Sequence, residues 1–294
     1  MTTTQAPGEP RADGAATSYR AGATLGILAE ARRQVGRRRT QLTLACMVLL
    51  PLIILLAFQI GRPGGGGQRQ GEFASFASIA TAGGLNFALF TLLVSSSFLL
   101  VIVVAVFCGD AIASEASWGS LRYLLAIPVP RARLLGSKLL VALASSAVAL
   151  LLLTGTALAV GTLRYGWHPL STLDGQIAGG PALIRLLGVL GFVAANLLIT
   201  AGLAFLLSVS TDAPLGAVGG AVMLTIVSAI LDQISALGEL RVILPTHYDD
   251  AWLGLLQTPA QTDDIFKGLI AAFVYGSAFL ALAWYHFLRK DVVS

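Results

Sequence analysis

The chain has 294 residues, 56% of them hydrophobic and only 12% charged, where an ordinary soluble domain carries about 25% charged residues. A soluble fold of this size cannot hide so much apolar surface. The apolar residues arrive in uncharged runs near the ~20 residues that a membrane-spanning helix needs, so the composition specifies an all-α polytopic membrane protein. The net charge of +4 is no argument for nucleic acid, because the basic residues cluster beside the ends of apolar runs, where they orient a membrane protein.

Residues 1–21 are poor in large apolar side chains and are expected to form a disordered cytoplasmic tail. Over residues 22–40, Leu25, Ile27, Leu28 and Val35 alternate with Glu30, Arg32, Arg33, Arg37, Arg38 and Arg39. This pattern predicts a basic amphipathic helix along the inner membrane surface. Residues 41–290 form the transmembrane domain, with spans at about 41–60, 85–107, 139–163, 186–209, 215–231 and 265–287, and residues 291–294 a short cytoplasmic tail. Pro51 predicts a kink in the first span. Ile60-Gly61-Arg62-Pro63 offers no small-x-small cleavage site, so this span is expected to remain as an anchor.

The glycine run 64–67 is a linker without the Lys of a phosphate-binding loop. Tyr165 and Trp167 are placed as interfacial aromatics in an outer loop. Between 235 and 264, two apolar runs end at Pro245 and Pro259, each too short to cross, which predicts two short interfacial or re-entrant helices on the outer face. Six spans put both termini on one side. Of the nineteen Lys and Arg, seven precede the first span, four lie between spans 2 and 3 and two follow the last, against six elsewhere. That bias predicts cytoplasmic N- and C-termini in the cell membrane.

The apolar cores so drawn contain no Asp, Glu or Arg and a single Lys, Lys267 in the first turn of the sixth, which counts against an ion-coupled secondary transporter. No GxxxxGK[ST] is present, so any pumping must draw its energy from another subunit. Cys46 and Cys108 have no ligand spacing, and His168, His247 and His286 are isolated. No disulfide, metal site or cofactor bound by this chain is expected, and no catalytic constellation is present. Asp249-Asp250 and Asp263-Asp264 are read as solvated loop acids. Among the mild polar residues inside spans, Asn196 is expected to face the protein and is the candidate cavity-lining residue. Gly216 and Gly220 form a GxxxG in the fifth span, a candidate helix-packing or dimer contact.

Residues 108–138 form a polar segment between two uncharged runs. It holds Asp110, Glu115, Arg122, Arg131, Arg133 and Lys138, and it is expected to sit in water on the cytoplasmic side. Within it, Glu115-x-x-x-Gly119-Ser120-Leu121, then Leu124-Leu125, Pro128-Val129-Pro130-Arg131 and finally Lys138 resembles the loop between spans 2 and 3 of type-2 ABC transporter permeases. Ser120 stands where that family usually has Thr, keeping the hydroxyl, and Pro130 stands where Ser is common.

The resemblance implies an ATPase-coupling interface at Asp110, Glu115, Gly119, Ser120, Leu121, Pro128 and Arg131. It also implies a cytosolic ABC ATPase subunit that binds ATP-Mg, a second permease copy as homodimer or heterodimer, and an exporter of lipophilic small molecules such as a drug, antibiotic or lipid-like cargo. On that reading, Arg131→Glu or Glu115→Lys releases the ATPase without unfolding the permease. A scaffold recruiting a cytosolic enzyme, or an ATP-independent channel, would share the spans but not the ATPase. A channel would further be expected to show a charged pore ring, and the spans contain none.

Overall fold

An apolar segment in lipid must satisfy its own backbone groups, and helices do so within one segment. The computed structural model describes residues 26–60, 79–117, 131–172 and 175–289, and these fold into eight α-helices. They are α1 (Ile27–Val35), α2 (Arg38–Ile60), α3 (Gly84–Ser96), α4 (Leu99–Ser117), α5 (Arg131–Tyr165), α6 (Gly179–Ser210), α7 (Pro214–Asp232) and α8 (Asp263–Arg289). All but α1 and α3 are long and apolar enough to cross a membrane, which bears out the six-span all-α reading. A small antiparallel hairpin pairs Leu170–Thr172 with Gly175–Ile177. Two short 3-10 helices, Ser235–Ile243 and Ala251–Leu256, precede α8, as expected.

Three helix boundaries differ from expectation. The expected second span is split at Ser97 and Phe98 into α3 and α4. Three consecutive serines, Ser95 to Ser97, stand at the break. The Ser96 hydroxyl competes for a backbone group, donating to the Leu93 carbonyl at 3.2 Å. Second, α4 runs past Phe107 to Ser117, so Asp110 and Glu115 belong to a helix and not to a loop. Third, α5 opens at Arg131 and carries Lys138 inside its first turns. With 35 residues, α5 is roughly 50 Å long, well beyond the ~30 Å hydrocarbon core. Its ends, and the charges on them, therefore reach the headgroup level or further. α2 continues without interruption through the buried Pro51.

The bundle has a basal end, where α1 lies, and a distal end. α8 packs along α6, while α4 packs against α6, α7 and α5. α3 packs chiefly on α5, which also receives α2. Lipid supplies no hydrophobic drive for this association, so close approach of small residues and interhelical hydrogen bonds must hold the helices together. Gly84 of α3 meets α5 so closely that an added Cβ would lie 2.3 Å from Thr162 Oγ1 and 2.7 Å from its backbone nitrogen. Gly202 of α6 would lie 3.0 Å from the carbonyl of Gly276 in α8.

Candidate functional site

At the basal end, three acids, Glu30, Asp110 and Glu115, meet four cations, Arg33, Arg37, Arg39 and Lys138. Glu115 of α4 is fully buried, and its Oε1 receives Arg33 Nη2 at 2.8 Å, Lys138 Nζ at 3.2 Å and Arg37 Nη2 at 3.3 Å. Lys138, also buried, reaches Glu30 Oε1 at 2.9 Å. Asp110 is held by Arg39 Nη1 at 3.1 Å and Arg37 Nη1 at 3.3 Å. The cluster thus ties α1, the start of α2, the end of α4 and the start of α5 into one unit. A buried charge in such a position is tolerable only because each acid finds cations within charge-assisted hydrogen-bond reach.

This corrects the expectation that Asp110, Glu115 and Lys138 sit in water. It also changes the expected effect of Glu115→Lys, which would place a fourth cation among Arg33, Arg37 and Lys138 and disrupt the fold itself. The partners were missed because Arg33, Arg37 and Arg39 read equally well as lipid-facing charges. The lone Glu30 in that basic run was the available signal. α1 does both jobs: Glu30 faces inward while Ile27, Leu28 and Val35 are exposed, as an interfacial helix requires. Nearby, the Ser208 hydroxyl of α6 accepts hydrogen bonds from the Ile112 and Ala113 backbone N–H groups of α4, each at 3.0 Å.

Of the expected coupling residues, Gly119, Ser120, Leu121 and Pro128 lie outside the described residues, and Arg131 is described only as the first residue of α5. The segment they occupy joins the last residue of α4 to the first of α5.

The distal half holds a cavity of about 310 Å³, within the range of small-molecule sites. Its walls come from the α3–α4 break (Ser96, Ser97), the middle of α6 (Asn196, Thr200), the distal part of α7 (Thr225, Ser228) and Phe279 of α8. Residues 245–249 close it. Unwound backbone at membrane depth is tolerated only where it is buried in protein or lines a cavity, and the α3–α4 break meets that condition.

The closing segment is clamped from several sides. Ser228 and Thr246 share a hydroxyl hydrogen bond at 2.8 Å, and Asp232 Oδ1 meets His247 Nδ1 at 2.6 Å. Asn196 Nδ2 donates to Asp249 Oδ1 at 2.5 Å, and the Tyr275 hydroxyl donates to the Ile243 carbonyl. Arg185 Nη1 donates to the carbonyls of Leu255 and Gln257, each at 2.9 Å, fixing the second 3-10 helix.

Asp249 is not a solvated loop acid. It is half-buried on the cavity wall. Desolvation pushes its carboxyl up to about 7, with the negative charges of Asp250 and Asp232 adding to the rise, while the hydrogen bond from Asn196 opposes it. Nothing in the local sequence distinguished it from Asp250, because its partner stands on another helix. In the GxxxG of α7, Gly220 packs against Leu207 of α6 within the same chain, whereas the face at Gly216 is open apart from Ala213. Among the described residues no cluster of three His, Cys, Asp or Glu could hold a metal ion.

No curated protein matches the chain. The pattern of the family described as ABC-2 family transporter protein matches residues 36–230, a stretch that begins just before α2, takes in Arg37, Arg39, Asp110, Glu115 and Lys138 of the ion cluster and ends within α7. Members of this family are the membrane component of a transporter, not themselves catalytic, and normally work with an ABC ATPase. The chain belongs to the ABC-2 family of transporter proteins and is a multi-pass permease component of an ABC transporter.

Proposed function

We propose that this chain is the permease of an ATP-driven exporter of lipophilic small molecules. A separately encoded ATPase would dock on the segment around residues 118–130, from the cytoplasmic side, where the basal end and both termini would lie. The observation that carries this reading is the buried ion cluster at the base of that segment. A partner that moves residues 118–130 pulls on the end of α4 and the start of α5, and the cluster makes these two helices and α1 move together. Bonded polar cores of this kind have discrete arrangements and transmit displacement instead of absorbing it. The cation bias toward the same end supports the orientation. The apolar cavity in the distal half supports a lipophilic cargo, and α3, α4, α6, α7 and α8 supply its walls. Six spans make a half-transporter, so a second permease completes the assembly.

The experiment is affinity purification of the tagged protein from its native membrane in mild detergent, with identification of co-purifying chains. A P-loop ATPase is expected. Leu121→Glu and Arg131→Glu are expected to release it while helicity and elution volume stay those of the wild type. Retention of the ATPase by both variants, or its absence under conditions that preserve other membrane complexes, overturns the reading.

A further inference from the structure

We propose that the distal cavity binds a lipophilic cation, with the Asp249 carboxylate as its counter-ion. This rests on the exporter reading and names the chemical class of its cargo.

The cavity wall is mainly apolar, from Val101, Val193, Leu203, Leu224 and Phe279 among others, and it carries one ionisable side chain among the described residues, Asp249. No Lys, Arg or His among the described residues lies within ion-pairing distance of that carboxylate. Its hydrogen-bond partner is the neutral amide of Asn196, which engages Oδ1 and leaves Oδ2 without a hydrogen bond among the described residues. The more deeply buried acids of the described bundle, Glu30, Asp110 and Glu115, are each held by Arg or Lys, and Asp232, half-buried like Asp249, meets His247. A carboxylate left with a neutral partner in an apolar chamber lacks a positive charge, and a ligand can supply it.

The surroundings reinforce the sign. From the end of α7 comes Asp232, which meets His247 and accepts from Arg241 at its backbone carbonyl. On the closing segment itself stand His247, whose ring packs edge-on to Tyr248, and Asp250. α6 contributes Asn196, α3 and the α3–α4 break contribute Ser96 and Ser97, and α8 contributes Phe279, all uncharged. The charges of Asp232 and Asp250 disfavour a second negative charge at Asp249, and the same field attracts a cation. Phe279 offers a ring face, and Ser96, Ser97, Thr200 and Thr225 offer hydroxyl oxygens to the polar end of a ligand. Among the described residues no Lys, Arg or His lines the cavity to pair an anionic cargo.

The test uses the full chain with its co-purified ATPase in lipid nanodiscs, and two permanently charged probes of near-identical shape, tetraphenylphosphonium and tetraphenylborate. Protein-dependent binding is measured against empty nanodiscs. The wild type is expected to bind tetraphenylphosphonium at least about tenfold more tightly than tetraphenylborate. Binding of the cation should weaken as pH falls from 8 to 6, since protonation of Asp249 removes its charge. Asp249→Asn should weaken the cation at least about tenfold, leave the anion unchanged and abolish the pH dependence.

Equal affinity of the wild type for both ions overturns the inference. So does unchanged cation binding in an Asp249→Asn variant that elutes as the wild type does. If that variant fails to fold, the cation-to-anion ratio and the pH dependence of the wild type decide alone. Loss of cation preference with the ATPase still present strikes only this inference, whereas absence of the ATPase strikes the exporter reading beneath it.

Discussion

Glu115 and Asp249 are both carboxylates withdrawn from water in an apolar protein, and the two ends of the bundle treat them in opposite ways. At the basal end Glu115 is fully buried under Arg33, Arg37 and Lys138. At the distal end Asp249 faces a cavity with a single neutral amide for company. A charge whose partners are all internal is bound to the geometry of its own fold. A charge whose partner is neutral keeps its capacity to interact, and this difference separates a structural tie from a receptive site.

The comparison can be broken by mutation. The largest effect is expected for Glu115→Ala, which removes the buried acceptor shared by Arg33, Arg37 and Lys138 and should cost about 3–5 kcal/mol, read as a fall in the apparent melting temperature in detergent. Asp249→Asn should act in the opposite direction. The carboxyl of Asp249 holds its proton more tightly in the folded chain, at about 7 against an ordinary 3.8. Between those values the folded state carries the extra proton, so stability falls as pH rises through that window and the full penalty is present above it. The Asn variant should therefore be more stable than the wild type by about 2–4 kcal/mol at pH 8, allowing for the partial exposure of the carboxyl, with the gap narrowing as pH falls and closing only at pH ~4. If both variants lose stability equally at pH 8, the two ends do not differ as described.

Smaller effects sharpen the picture. Ser208→Ala removes the acceptor shared by Ile112 and Ala113 and should cost about 0.5–1.5 kcal/mol in the same thermal measurement, independent of pH. Asn196→Leu removes the hydrogen bond that favours ionised Asp249. The midpoint of the pH dependence of cation binding should then move upward from the wild-type value. A downward movement would mean that Asn196 does not act through that carboxylate.

The six spans were legible because uncharged runs near the bilayer thickness leave few alternatives. The short helices before α8 were legible for a similar reason, since Pro245 and Pro259 interrupt runs too short to cross. The α3–α4 break was not. Ser95 to Ser97 are common enough inside spans that only their position beside a cavity distinguishes them. The ion cluster was hidden for a different reason: most of its bonds join residues 71 to 108 positions apart, as in Arg39 to Asp110 and Glu30 to Lys138. Hydropathy locates Asp110 and Glu115 beyond an apolar run but says nothing of whether water or arginine waits for them. The same blindness applied to Asp249, whose partner Asn196 is 53 positions away. The segment around Gly119, Leu121 and Pro128 remains legible from sequence pattern alone.

The interruption at Ser97 and Phe98 has a mechanical consequence. Above it, α3 is fastened to α5 by the close approach at Gly84, and below it, α4 is fastened mainly to α6 and α7. One crossing of the membrane is thus shared between two bodies joined by a short pivot. A continuous helix would act as a lever and carry any tilt at Ser117 up to Gly84. Here the break uncouples the tilt of the two rods at Ser97 and Phe98, the first of which lines the cavity.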